Sequence, residues 1–208
     1  LRISEINYNP SAPTAQELNS LPGLDNDDFE FLELVNHSTT ATLDLTNVVF
    51  TDGVSFQFPH GLTLAPQDVV LIVANESAFA LRYETDAASR IAGSFQNESR
   101  LRNSGETLAY QDAFGDIIQS FAYDDNPDAQ WPQLADGDGR TLEIVDNTGD
   151  YSAAANWRDS QKQNGTPCEY PPKLPGDLNS DGMLSSDDID TLCRGMQNDD
   201  DEFDLTGD

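Results

Sequence analysis

The feature that most constrains this chain is its punctuation. Up to about residue 170 it is a succession of short β-rich runs cut by turn residues, with almost no helical periodicity. The runs are LRISEINY (1–8), FEFLELVN (29–36), LDLTNVVFTD (43–52), VSFQFP (54–59), DVVLIVAN (68–75), RIAGSF (90–95), ETLAYQD (106–112), DIIQSFAY (116–123) and TLEIVD (141–146). FEFLELVN is apolar enough to be buried on both faces, DVVLIVAN reads as a central strand, and VSFQFP alternates cleanly through Phe56 and Phe58. SAFALRYE (77–84), capped by Ser77, is the one early helix expected. Many short strands and one short helix predict a mainly β fold, a sandwich or barrel.

Three polar segments interrupt the strands: 11–28, 124–140 and 147–167. They read as long loops. Trp131 and Trp157 lie in the last two, where two readings stand: anchors pinning loops to the sandwich, or a platform that stacks on sugar rings. The chain opens at Leu1 on a strand already under way, which reads as a processed chain or a fragment.

Charge narrows the partners. With 38 acidic and 10 basic residues in 208, the formal net charge is −28. Such a surface repels polyanions, so neither nucleic acid nor an anionic membrane surface is expected. Cations are favoured. No run of 18 apolar residues is present, so no membrane-inserted helix is expected.

After PPKLPG (171–176) the composition turns acidic, with Arg194 the single basic residue from Leu174 to Asp208. DLNSDGMLSSDD (177–188) has the order of a calcium loop. Asp177, Asn179 and Asp181 alternate so that hard oxygens converge at positions 1, 3 and 5. Gly182 permits the bend. Met183 supplies its backbone carbonyl, Ser185 ligates directly or through water, and Asp188 closes position 12. Ile189, Leu192, Cys193 and Met196 then form an apolar stripe, predicting a helix over 185–197. FDLTGD (203–208) repeats the opening of the loop with Asp204, Thr206 and Asp208, a weaker partial second loop.

Catalytic candidates are sparse. His37 and His60 read as exposed turn residues, and no G-x-S-x-G, HExxH or P-loop is present. Glu5, Glu30 and Glu33 sit in strands. They either serve the sheet or form the carboxylate pair of a glycoside hydrolase. Asp25, Asp27 and Asp28, or Asp136 and Asp138, could hold a second calcium but lack spaced ligand order. Cys168 and Cys193 are either buried thiols or one disulfide, which would tie the sandwich to the exit helix.

Two resemblances follow from these stretches. PGDLNSDGMLSSDDIDTLCRGM resembles the first half of a type I dockerin, and FDLTGD the start of the second. The resemblance implies calcium-dependent folding and a cohesin-like protein partner, with Ser186, Asp187 and Arg194 in the partner-facing set. LRISEINYNP, DDFEFLELVN, LDLTNVVFTDGVSFQFPHGLTLAP, LIVAN, LRNSGETLAYQDAFGDIIQSFAYDD, WPQLADGDGRTLEIVD, NW and NGTP resemble, in order, the lamin-tail domain. That resemblance implies an immunoglobulin-like β-sandwich, typically a non-catalytic module of exported bacterial proteins and often beside hydrolases. The expected organisation is a sandwich over 1–168, a Pro-rich linker over 169–175, and a small α-helical calcium-loop (dockerin/EF-hand-like) module over 176–208. The expected function is a non-catalytic extracellular or cell-surface adaptor that uses Ca2+. The alternatives are a carbohydrate-binding module, with glycan as partner, and a glycoside hydrolase.

Overall fold

The structure is a computed structural model that describes residues 1–83 and 85–170, together with Ser186, Ile189 and Asp190. Leu1–Tyr170 form one unit. In chain order its elements are β1 (Arg2–Asn7), α1 (Ala15–Ser20), β2 (Phe31–Val35), β3 (Leu43–Asp44), β4 (Val49–Asp52), β5 (Thr63–Leu64), β6 (Val69–Val73), α2 (Glu76–Arg82), α3 (Thr85–Ala88), β7 (Ile91–Ser94), β8 (Glu106–Gln111), β9 (Ile117–Tyr123), β10 (Leu142–Ile144) and β11 (Trp157–Asp159).

The strands make a six-stranded sheet in the order β11-β10-β1-β2-β6-β7 and a three-stranded sheet in the order β4-β8-β9, with β3 and β5 paired separately. Every pairing is antiparallel except β6 with β7, which are joined by the two short helices. Period-two alternation sends Ile6, Leu32, Leu34, Val70, Ile72, Leu142 and Ile144 inward from the large sheet. Phe50, Leu108, Tyr110, Phe121 and Tyr123 meet them from the small one. This is the mainly β sandwich that the alternation predicts. The opposite face of β2 and β6 is also buried, because Phe31, Leu71 and Val73 pack against Phe79 and Ala87 of the helical layer. β2 and β6 are therefore apolar on both sides, as read from FEFLELVN and DVVLIVAN.

Several local expectations are corrected. The run 43–52 is broken in two, because Asn47 adopts a left-handed backbone (φ 61) between β3 and β4. Residues 54–59 join no named strand; bridges at Ser55 and Gln57 hold them while Val54, Phe56 and Phe58 fill the core. The cap of α2 is Asn75, not Ser77, since its side chain accepts from the N–H groups of Ser77 and Ala78. Segment 11–28 contains α1, started by a capping box in which the Thr14 hydroxyl accepts from Glu17 N–H and the Glu17 carboxylate accepts from Thr14 N–H. Segment 147–167 contains β11, an edge strand on β10. Of the two cysteines read as either thiols or one disulfide, Cys168 is a half-buried free thiol and Cys193 lies outside the described residues.

Candidate functional site

The expected calcium ligands Asp177, Asn179, Asp181, Met183, Ser185 and Asp188, and the partial repeat Asp204, Thr206 and Asp208, lie outside the described residues, as do Asp187 and Arg194. Ser186, Ile189 and Asp190, within the stretch predicted to leave the loop as a helix, are helical and exposed.

A row of carboxyls runs across three adjacent strands of the large sheet. Antiparallel register sets Glu5 of β1 opposite Glu33 of β2 on one side and Glu143 of β10 on the other. Alternation puts all three on the face opposite the sandwich core. Glu5 and Glu33 are 2% exposed and Glu143 1%. The stretch Ser160–Cys168, which follows β11, supplies much of what satisfies them. Glu5 Oε1 accepts from Thr141 Oγ1 (2.5 Å) and from Thr166 N–H (2.9 Å). Glu33 Oε1 accepts from Ser4 Oγ (2.6 Å), and its Oε2 from Cys168 N–H. Glu143 Oε1 accepts from Thr166 Oγ1, and its Oε2 from Arg158 Nε (3.0 Å).

Of the three carboxyls, Glu143 is the one paired with a guanidinium, that of Arg158. Burial, and then the charge on Glu33, holds the Glu5 carboxyl well above the usual carboxylate range. Burial pushes Glu33 up to about 7 against the pull of Ser4 Oγ and Cys168 N–H. Each carboxyl of the row is held by protein donors, so the row is a hydrogen-bonded seam across the three strands. It clamps residues 160–168 onto the sheet.

Glycoside hydrolysis needs two carboxyls flanking an open cleft, with room for a sugar and a water. Glu5 and Glu33 instead face their own strands and the covering stretch. Glu30, the third strand carboxyl expected, is 0% exposed; its Oε2 accepts from Leu101 N–H (2.9 Å). The sugar-stacking platform is corrected as well. Trp131 is 6% and Trp157 4% exposed. Trp157 donates Nε1–H to Tyr151 O (2.8 Å) and stacks on Phe121 with ring centroids 5.8 Å apart. Both indoles are core anchors.

The remaining candidates are accounted for locally. His37 and His60 are exposed. The Asp28 carboxylate accepts from Asp25 N–H and from Asn75 Nδ2, while Asp136 Oδ1 accepts from Asn9 Nδ2 (2.7 Å). Among the described residues no group of three or more His, Cys, Asp or Glu side chains is placed to hold a metal ion. Glu143, Arg158, Thr141 and Thr166 were not legible as members of a site. Only the register of β10 on β1 brings them beside Glu5.

The lamin tail domain family model matches residues 1–157. No curated protein and no solved structure matches the chain.

Proposed function

The chain belongs to the lamin tail domain family, and from that membership we propose that it is a non-catalytic binding module of an exported protein, ending in a calcium-dependent dockerin-like segment. The observation that carries the non-catalytic reading is the seam. The strand carboxyls that could have been an acid–base pair are buried and bonded to backbone, hydroxyls and one arginine. The calcium reading rests on ligand order. Asp177, Asn179, Asp181, the Met183 carbonyl, Ser185 and Asp188 offer hard oxygens at the spacing the ion requires, and the three carboxylates repel one another without it. Calcium neutralises that repulsion. The short helix over 185–197 would be marginal alone and follows occupancy. Ser186, Asp187 and Arg194 then form the surface offered to a cohesin-like domain outside the cell.

Calcium titration of the 208-residue chain by calorimetry tests this. One tight site is expected, lost in Asp177→Ala and in Asp188→Ala but kept in Met183→Ala, because position 7 uses its backbone oxygen. The partial repeat at Asp204, Thr206 and Asp208 lacks a position-12 ligand and adds no equal site. No tight site, or two equal ones, contradicts the reading.

A further inference from the structure

β9 is an edge strand: in its sheet it pairs with β8 alone. Its seven residues, Ile117–Tyr123, include no charged residue and no proline, the usual devices that keep an edge from pairing. Its two ends are nevertheless covered. Arg2 Nη1 donates to Ile118 O (3.1 Å), and Ala122 N–H donates to Ser152 Oγ (3.4 Å). Ile118 is the extra residue where the β8–β9 register shifts, so it is the Ala122 contact that fixes which backbone groups face outward. Antiparallel alternation places the N–H and C=O of Ser120 on that same outer side. The opposite edge of β8 agrees, since Ala109, the partner of Ser120, turns its carbonyl toward Thr51 of β4. An outward donor and acceptor thus sit at exposed Ser120, between two covered ends.

Ser120 lies in a half-open cleft of about 380 Å³, walled by Ile118–Phe121 on one side and the 147–152 turn on the other. At the hairpin tip leading into it, Phe114 is 92% and Ile117 71% exposed. Carboxylates predominate around it: Asp112 and Asp116 at the tip, Asp124 and Asp125 beyond β9, and Asp146 and Asp150 at the facing turn, against Arg2 and His37 in the cleft lining. Arg2, the cation in the cleft, is turned onto the carbonyls of Leu1 and Ile118.

We propose that the β9 edge binds a short extended segment of a partner protein by strand addition at Ser120, and that this segment alternates basic and apolar residues. Main-chain bonds to Ser120 supply the register. Apolar side chains cover Ile117 and Phe114, and basic ones face the aspartates. The inference deepens the binding-module reading of the sandwich and is independent of the calcium loop. A failed calcium titration leaves it standing, and a failed peptide titration leaves the calcium loop standing.

The probe is a fluorescent peptide of alternating lysine and valine, about six residues long, titrated against the full chain at about 0.15 M salt. Its control is the same peptide N-methylated along one edge, with equal charge but no ladder donors. Saturable binding is expected, weakened roughly tenfold or more by N-methylation and by Ser120→Pro, and unchanged in Ser120→Ala. Ser120→Pro removes the outward N–H and also restrains φ at 120 and the preceding Gln119, so its melting curve checks the fold. The peptide comparison needs no variant, so it decides the matter if that variant fails. Equal binding of both peptides, which marks charge alone, or no saturable binding, overturns the proposal.

Discussion

A carboxyl enclosed by protein with a single backbone donor keeps its proton, and Glu30 is in that position. It is 0% exposed, Leu101 N–H reaches its Oε2, and its Oε1 has no partner among the described residues. Burial pushes its pKa up to about 9, against the pull of the Leu101 bond. Glu33 is raised to about 7, and Glu5 also lies well above the ordinary range. The folded state thus holds protons that the unfolded chain releases near pH ~4.3. For these groups the stabilisation is fully present below that pH and is lost as pH rises through about 7 for Glu33 and about 9 for Glu30. Glu17 has the opposite sign. Arg82 holds it at about 2, so its contribution is present above pH ~4.3 and is lost as pH falls toward 2. Stability should therefore peak near pH ~5 and decline toward pH ~8. Glu30→Gln keeps an acceptor for Leu101 and removes the titration. It should raise the melting midpoint at pH ~8 by roughly 4–8 °C and leave it within about 2 °C at pH ~5. Equal shifts at both pH values would contradict the assignment.

Elements differ in how far they could be read from the chain, and the difference is physical. β2 and β6 announce themselves because both faces are buried and apolar residues follow one another without interruption. β11 has three residues, Trp157–Asp159, too few for any period. Its existence depends on a register with β10, which no local signal carries. α1 was legible in principle, since Thr14-x-x-Glu17 is a capping box, but its six residues lie among prolines and polar residues that read as loop. The carboxyl seam was hidden for the same reason as β11. Glu5 and Glu33 are visible in their strands, whereas Glu143, its Arg158 partner on β11 and the covering Thr166 are brought in by pairing over long separations. The seam also predicts how β11 fails. Arg158→Met leaves Glu143 buried without its cation and should cost roughly 3–5 kcal/mol in urea denaturation. Adding Glu143→Gln should return part of that loss by removing the stranded charge. A loss below about 0.5 kcal/mol in the single variant would show that the pair does no more than a surface ion pair.

At the scale of the molecule, the sandwich carries its own means of cohesion. Its core runs from Leu1 to Trp157, and its outer carboxyls accept hydrogen bonds from hydroxyls, backbone N–H groups and Arg158. The net charge of −28 is spread over the surface and over the acidic stretch after Leu174, where the calcium-loop order lies. Calcium should act on that stretch and leave the sandwich alone. The separation is most directly tested by the near-UV circular dichroism of the full chain, recorded in calcium and then in excess chelator. Trp131 and Trp157 are both buried in the sandwich and report on its packing. Their signal should persist in chelator, with any change in helix content confined to the far-UV. Collapse of the tryptophan signal when calcium is withdrawn would contradict this separation, by showing that the sandwich itself depends on a bound ion.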